Sequence, residues 1–125
     1  IKYTHSMTIL IVGASNKPHR ISNQAMHMLQ EFGHDVVLLH PILKEIEGNA
    51  VLASIKEISQ PIDTVTMYVN AERSSSISED LLTLSPRRVI FNPGSENDSL
   101  KKRLLEHNIE CVEDCTLVLL KSNRF

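Results

Sequence analysis

The chain has 125 residues and a mass of 14.1 kDa, enough for one domain with its own core and too short for two. Its composition, 42% hydrophobic and 22% charged, excludes disordered and fibrous classes, and its longest apolar runs fall far short of the ~20 residues that a membrane helix needs. With 13 Lys and Arg against 15 Asp and Glu, the net charge of −2 supplies no basic field for nucleic acid or an anionic membrane. Cys111 and Cys115 have no further Cys or His around them at zinc-ligand spacing, so no metal is expected. Free thiols without a visible secretory signal point to the cytoplasm. Residues 1–6 show no periodicity and precede Met7; they are expected to be an expression or processing remnant, with the domain spanning 7–125.

Thr8 to Val12, an apolar β-branched run, predicts a strand buried on both faces and ending at Gly13. Ile21, Ala25, Met28, Leu29 and Phe32 recur at helical spacing, and Gly33 stops that helix as a left-handed cap. Val36 to Leu39 is a second strand, closed by His40-Pro41. The segment from Ile42 to Gly48 is irregular; a short strand follows at Ala50 to Leu52, and Ser54 with Glu57 has capping-box spacing for a turn or two of helix before Pro61. Asp63 to Val69 predicts a strand, and Ser76 with Glu79 a capped helix carrying Ile77, Leu81 and Leu82. After a strand at Val89 to Phe91, Asn97 or Asp98 opens a helix with Leu100, Leu104 and Leu105 on one side. A strand at Ile109 to Val112 and an apolar tail at Leu117 to Leu120 complete the chain; the tail either caps the core or joins a neighbouring sheet. His27, His34 and His107 are expected in solvent.

This alternation predicts a single-domain, three-layer α/β fold, Rossmann-like and doubly wound, with a mostly parallel sheet of five to six strands. Such sheets bind ligands beyond the carboxyl ends of their strands, where the strand order reverses. The first strand is followed by Gly13-Ala14-Ser15 and then Lys17, His19 and Arg20 at the start of a helix. Small residues permit close backbone approach and a helix N-terminus attracts anions, so the turn suits phosphate; it also reads as a plain strand-to-helix link with solvated cations. It is neither G-x-G-x-x-G nor a P-loop, and the second strand ends in His40 where an acid would hold an NAD ribose. Both departures oppose a nicotinamide enzyme. Val69-Asn70 and Asn92-Pro93-Gly94 lie on the same rim.

Val12-Gly13-Ala14-Ser15, His40-Pro41 with Lys44 and Gly48, Pro61-Ile62-Asp63, Asn92-Pro93-Gly94 with Asn97, and Cys115 occur in the order seen in the small CoA-binding domain proteins, which the chain resembles from about Thr8 to Leu120. Their fold is similar to the CoA-binding domain of the succinyl-CoA synthetase alpha subunit. The resemblance implies coenzyme A or an acyl-CoA as the cofactor, its phosphates at Gly13, Ala14 and Ser15, its nucleotide end by His40 and Pro41, and Val69, Asn70, Pro93, Gly94 and Asn97 as further walls. Lys17, Arg20 and Lys44 are added as phosphate partners on charge, and family members usually carry Asn where His40 stands. The synthetase chemistry uses a second domain absent from this chain, so non-catalytic binding is expected, with no catalytic residue assigned. A nucleotide-binding oxidoreductase-like domain and an interaction domain with a vestigial pocket stay open, as do pairing with a second copy and service as an enzyme's partner subunit. Gly13→Val is expected to fold and to lose CoA by filling the space beside the pyrophosphate.

Overall fold

The computed structural model describes residues 6–125. Residues 1–5, most of the expected N-terminal remnant, lie outside the described residues. Strand β1 (Thr8–Val12) is the centre of the sheet, with Ile9, Leu10 and Ile11 fully buried. It pairs in parallel with β2 (Asp35–Leu39) on one side and β5 (Thr64–Met67) on the other, in register Val12 to Leu39 and Val12 to Met67. Beyond β2 lies β4 (Asn49–Leu52); beyond β5 lie β6 (Arg88–Phe91) and then β7 (Glu110–Glu113), all parallel. With β3 (Glu45–Ile46) outermost beside β4, the order β3-β4-β2-β1-β5-β6-β7 is doubly wound. The chain runs outward from β1 through β2 to β4, then returns to the other side of β1, so the order reverses between β1 and β5.

Among the described residues the sheet has seven strands rather than five to six. The extra one, β3, pairs antiparallel with β4 through a hairpin turn at Glu47-Gly48, where both residues take positive φ (50° and 83°). Two residues are too few to show a period, which is why the sequence of this segment reads as irregular.

Two layers of helix cover the sheet. On one face α1 (Ile21–Glu31) and α5 (Thr116–Lys121) pack together over Ile9, Ile11 and Leu38 through Met26, Leu29 and Leu120. The tail at Leu117 to Leu120 thus becomes a helix that caps the core. On the other face α2 (Ala71–Ser76), α3 (Ser78–Leu84) and α4 (Asp98–Glu106) cover Leu10, Val12, Val65 and Phe91 with Leu81, Leu100 and Leu104. Gly33 takes φ 85°, as the end of α1 requires.

Several expectations need correction. The Ser54–Glu57 capping box forms, with the Ser54 amide donating to Glu57 Oε2 at 2.9 Å and the Lys56 amide to Ser54 Oγ at 3.2 Å. The Ser76–Glu79 box does not. The helix carrying Leu81 and Leu82 starts at Ser78 without a side-chain cap, and a separate helix precedes it from Ala71, because the Asn70 side chain accepts from the Arg73 amide at 3.0 Å and the Ser76 hydroxyl donates to the Arg73 carbonyl at 2.6 Å. Leu105 is 51% exposed, since α4 turns only Leu100 and Leu104 to the sheet. His34 is buried at the amino end of β2, where its Nδ1 accepts from the Met7 amide at 3.1 Å and its ring lies 5.4 Å from that of Phe125. The Arg88 guanidinium stacks on the same Phe125 ring at 4.5 Å.

Candidate functional site

At the carboxyl ends of β1, β2 and β5, where the strand order reverses, opens a cleft of about 780 Å³. Nine of the thirteen sequence candidates line it: Gly13, Ala14, Ser15, Lys17, Arg20, His40, Pro41, Val69 and Asn70. Lys44, Pro93, Gly94 and Asn97 do not. Lys44 is exposed on the approach to β3, beside the wall formed by His40, Pro41 and Leu43. Pro93 and Gly94 are exposed after β6, with the Gly94 amide donating to Glu96 Oε1 at 2.9 Å. Asn97 is a structural tie. Its Oδ1 caps α4 by accepting from the Leu100 amide at 3.1 Å, while its Nδ2 donates to Ala71 O, Ser74 Oγ and Ser75 Oγ at 2.8–3.1 Å. Those bonds fasten α4 to α2 and consume the amide.

The turn after β1 presents fewer free amides at its start than its small residues suggest. Gly13 leaves β1 at φ 89°, and its amide and that of Ala14 both donate to Leu39 O, at 3.3 and 3.1 Å, extending the ladder to β2. The backbone donors that meet no protein acceptor among the described residues come next, on Ser15, Asn16, His19, Ile21 and Ser22. Arg20, the residue before α1, provides no side-chain cap, and the first turn of α1 carries no acid. That end therefore presents unsatisfied amides and the positive pole of an 11-residue helix to the cleft. By contrast, α2 and α4 are capped by Asn70 and Asn97.

The turn is braced from outside the cleft. Asn23, buried in α1, donates from Nδ2 to Ser15 O at 2.9 Å and to Glu47 Oε2 at 2.9 Å, and Glu47 also meets His27 Nε2 at 2.9 Å. These hydrogen bonds and the neighbouring imidazole hold the Glu47 carboxyl below its usual pKa. The β3–β4 hairpin is thus a strut for the first turn of α1.

His40 is held through Nδ1, which accepts from the Ile42 and Leu43 amides at 3.1 and 3.0 Å. An accepting Nδ1 places the neutral ring's proton on Nε2, leaving a hydrogen-bond donor rather than a base. Tyr68, also in the lining, has a hydroxyl shut off from solvent and without a hydrogen bond of good geometry; burial pushes its pKa up, so it stays protonated. Sequence reading misses Tyr68, and it misses Arg73, Ser76 and Ile77, which α2 contributes to the lining. The hidden start of α2 at Ala71 is the reason; Asn70 as an N-cap was the signal that could have found them.

Charge in the cleft is one-sided. Lys17, Arg20 and Arg73 line it and no Asp or Glu does. Cys111 and Cys115, both half-buried free thiols, lie outside it, and burial raises the Cys111 pKa. Among the described residues no three His, Cys, Asp or Glu side chains gather as a metal site, and no helix is long and apolar enough to cross a membrane.

A doubly wound, mostly parallel sheet with a cation-lined cleft at its switch point defines a Rossmann-like domain. Residues 7–121 match the family described as CoA binding domain, and the chain belongs to that family. It is 31% identical over 109 residues to the uncharacterized protein YneT of Bacillus subtilis (strain 168), covering 87% of this chain and 81% of that protein. A hypothetical protein from Pyrococcus horikoshii OT3 superposes with a TM-score of 0.89 at 27% identity, over 95% of this chain and 84% of the other. The same fold recurs in acetyl-coenzyme A synthetase 1 of Ca. Korarchaeum cryptofilum, with a TM-score of 0.74 and 17% identity, over 86% of this chain and 25% of that one.

Proposed function

We propose that the domain binds coenzyme A or an acyl-CoA reversibly, as a carrier or sensing module rather than as a catalyst. The observation that carries this reading is the cleft at the β1/β5 switch point, lined by three cations and no acid, in a chain of the CoA binding domain family. The pyrophosphate is assigned to the uncapped first turn of α1, with the Ser15 and Asn16 amides, Lys17 and Arg20 as donors. Gly13 and Ala14 admit the ligand by being small. The nucleotide end is assigned to the β2 side, by His40, Pro41 and Leu43, and the pantetheine arm to Val69 and Asn70.

A non-catalytic role follows from the lining. Among the described residues it offers no carboxylate or thiol, and its imidazole, His40, has its Nδ1 occupied by two backbone amides. A nicotinamide dinucleotide fits less well, because the end of β2 supplies no acid for the ribose hydroxyls. Two free thiols accord with a reducing cytoplasm.

Isothermal titration of ligand-stripped protein with CoA, acetyl-CoA, NAD and ADP tests the reading. CoA is expected to bind at least about tenfold more tightly than NAD, a difference of ~1.4 kcal/mol. No heat with CoA in a folded sample, or equal affinity for NAD, refutes it; complete silence with all four ligands favours the vestigial pocket.

A further inference from the structure

Lys17 and Arg20 precede α1, on one face of the sheet, whereas Arg73 belongs to α2, on the other face. The cleft runs between those helix starts and all three side chains line it. Elsewhere Arg87, Lys101, Arg103 and Arg124 each meet a carboxylate. Lys17, Arg20 and Arg73 have no ion pair or side-chain hydrogen bond among the described residues, although all three are exposed and free to seek one. The backbone of Arg73 is nonetheless fixed. Its amide donates to Asn70 Oδ1 at 3.0 Å and its carbonyl accepts from Ser76 Oγ at 2.6 Å, so the root of the side chain is set while the guanidinium is uncommitted.

We infer that Arg73 is a second jaw of the site: a diphosphate seated on the first turn of α1 is gripped by Arg73 from the opposite wall, so that the cleft selects ligands with adjacent phosphate groups. This rests on the CoA reading for the ligand's identity but not for the grip itself. A lone phosphate on the α1 side leaves the opposing guanidinium unneutralised, whereas two linked phosphates place charge within reach of both walls. Guanidinium suits the task because its planar fork meets two phosphate oxygens at once, which an ammonium cannot do. The jaw also links elements on opposite faces of the sheet, so a bound diphosphate ties together the two halves of the winding.

The test uses Arg73→Gln, Arg73→Lys and, as an off-site control, Lys102→Gln on the exposed side of α4. Titrations are run with CoA, inorganic pyrophosphate and inorganic orthophosphate at two salt concentrations. Since the exposed Arg73 side chain makes no ion pair or hydrogen bond among the described residues, all three variants should keep the wild-type circular dichroism and Tm. Arg73→Gln is expected to weaken CoA and pyrophosphate about tenfold each, to leave orthophosphate unchanged and to make the salt dependence shallower; Arg73→Lys should recover part of the loss. Unchanged pyrophosphate and CoA affinity in Arg73→Gln overturns the jaw and leaves the CoA reading standing. Loss for CoA alone overturns it too, because Arg73 would then serve another part of that ligand. Wild-type protein that binds pyrophosphate through Arg73 but ignores CoA refutes the CoA reading and keeps the jaw, and wild-type protein that binds neither refutes both.

Discussion

Gly13→Ala probes the seam between β1 and β5 on which the site is built. Gly13 has φ 89°, a region that costs an L residue ~1–3 kcal/mol. A Cβ there would stand 3.0 Å from Val69 Cγ1 and 3.3 Å from both the Tyr68 carbonyl carbon and its Cβ. Val69 can turn aside, but Tyr68 is fixed by its amide bond to Val12 O at 2.9 Å. The packing strain therefore adds to the dihedral cost, for a total of ~2–4 kcal/mol. At ~4 °C per kcal/mol for a domain of this size, Tm should fall by about 8–15 °C. Gly94→Ala separates the two contributions, because Gly94 also has a positive φ, 93°, yet a Cβ there meets nothing within 4 Å. The chain has no Trp, so thermal melts followed by far-UV circular dichroism, with calorimetry, are the assays. A Gly13→Ala Tm within about 2 °C of wild type, or no lower than that of Gly94→Ala, refutes the seam argument. The same geometry revises the expectation for Gly13→Val: its side chain would pry β1 from β5, so the fold suffers along with ligand binding.

Asn97→Ala removes the cap of α4 and strands the groups on α2 that its amide serves. It should cost ~2–4 kcal/mol by urea unfolding while leaving the CoA affinity of the folded protein within about twofold of wild type. His34 titrates below its ordinary value of 6.5 because burial, and then the Arg88 charge, disfavour its protonated form. Below pH 6.5 the unfolded chain therefore takes up a proton that the folded chain resists, so stability present at neutral pH is lost as pH falls toward the folded-state value. His34→Gln should flatten the change in urea midpoint between about pH 7 and pH 5, and an equal slope in both proteins would refute the assignment.

Strands β1, β2 and β6 are legible because each is built on a continuous apolar run, the pattern of a strand covered on both faces, and β5 because Thr-Val-Thr-Met is rich in β-branched residues. Their alternation with helices makes the switch point, and hence the rim to inspect, derivable from order alone. What escapes is short or local. The β3–β4 hairpin rests on two residues at positive φ, and its Glu47 braces the site from 24 positions away in the chain through Asn23. The start of α2 is hidden because Ala71 to Ser76 buries only Ser74, leaving no apolar stripe to read. With it goes Arg73, the cation that a charge-based search confined to the first turn does not reach. Leu105 and His34 fail for opposite reasons: a leucine at helical spacing falls just off the buried face, and a histidine beside Gly33 and Asp35 is enclosed by Phe125 from the far end of the chain.

The outer edge at β7 has a consequence for how the molecule behaves in company. Glu110 and Glu113 bracket a four-residue strand whose open side carries unpaired backbone groups, the usual template for strand addition. If a second copy docked there about a two-fold axis passing beside either glutamate, that residue would face its own counterpart in the other copy, and like charges placed directly across a strand pair repel. The cations nearest to them, Arg87 and Lys101, already face these carboxylates from within the same molecule. Charge at both ends of the edge strand thus disfavours edge-to-edge pairing in those registers, on a side of the sheet away from the cleft at the ends of β1, β2 and β5.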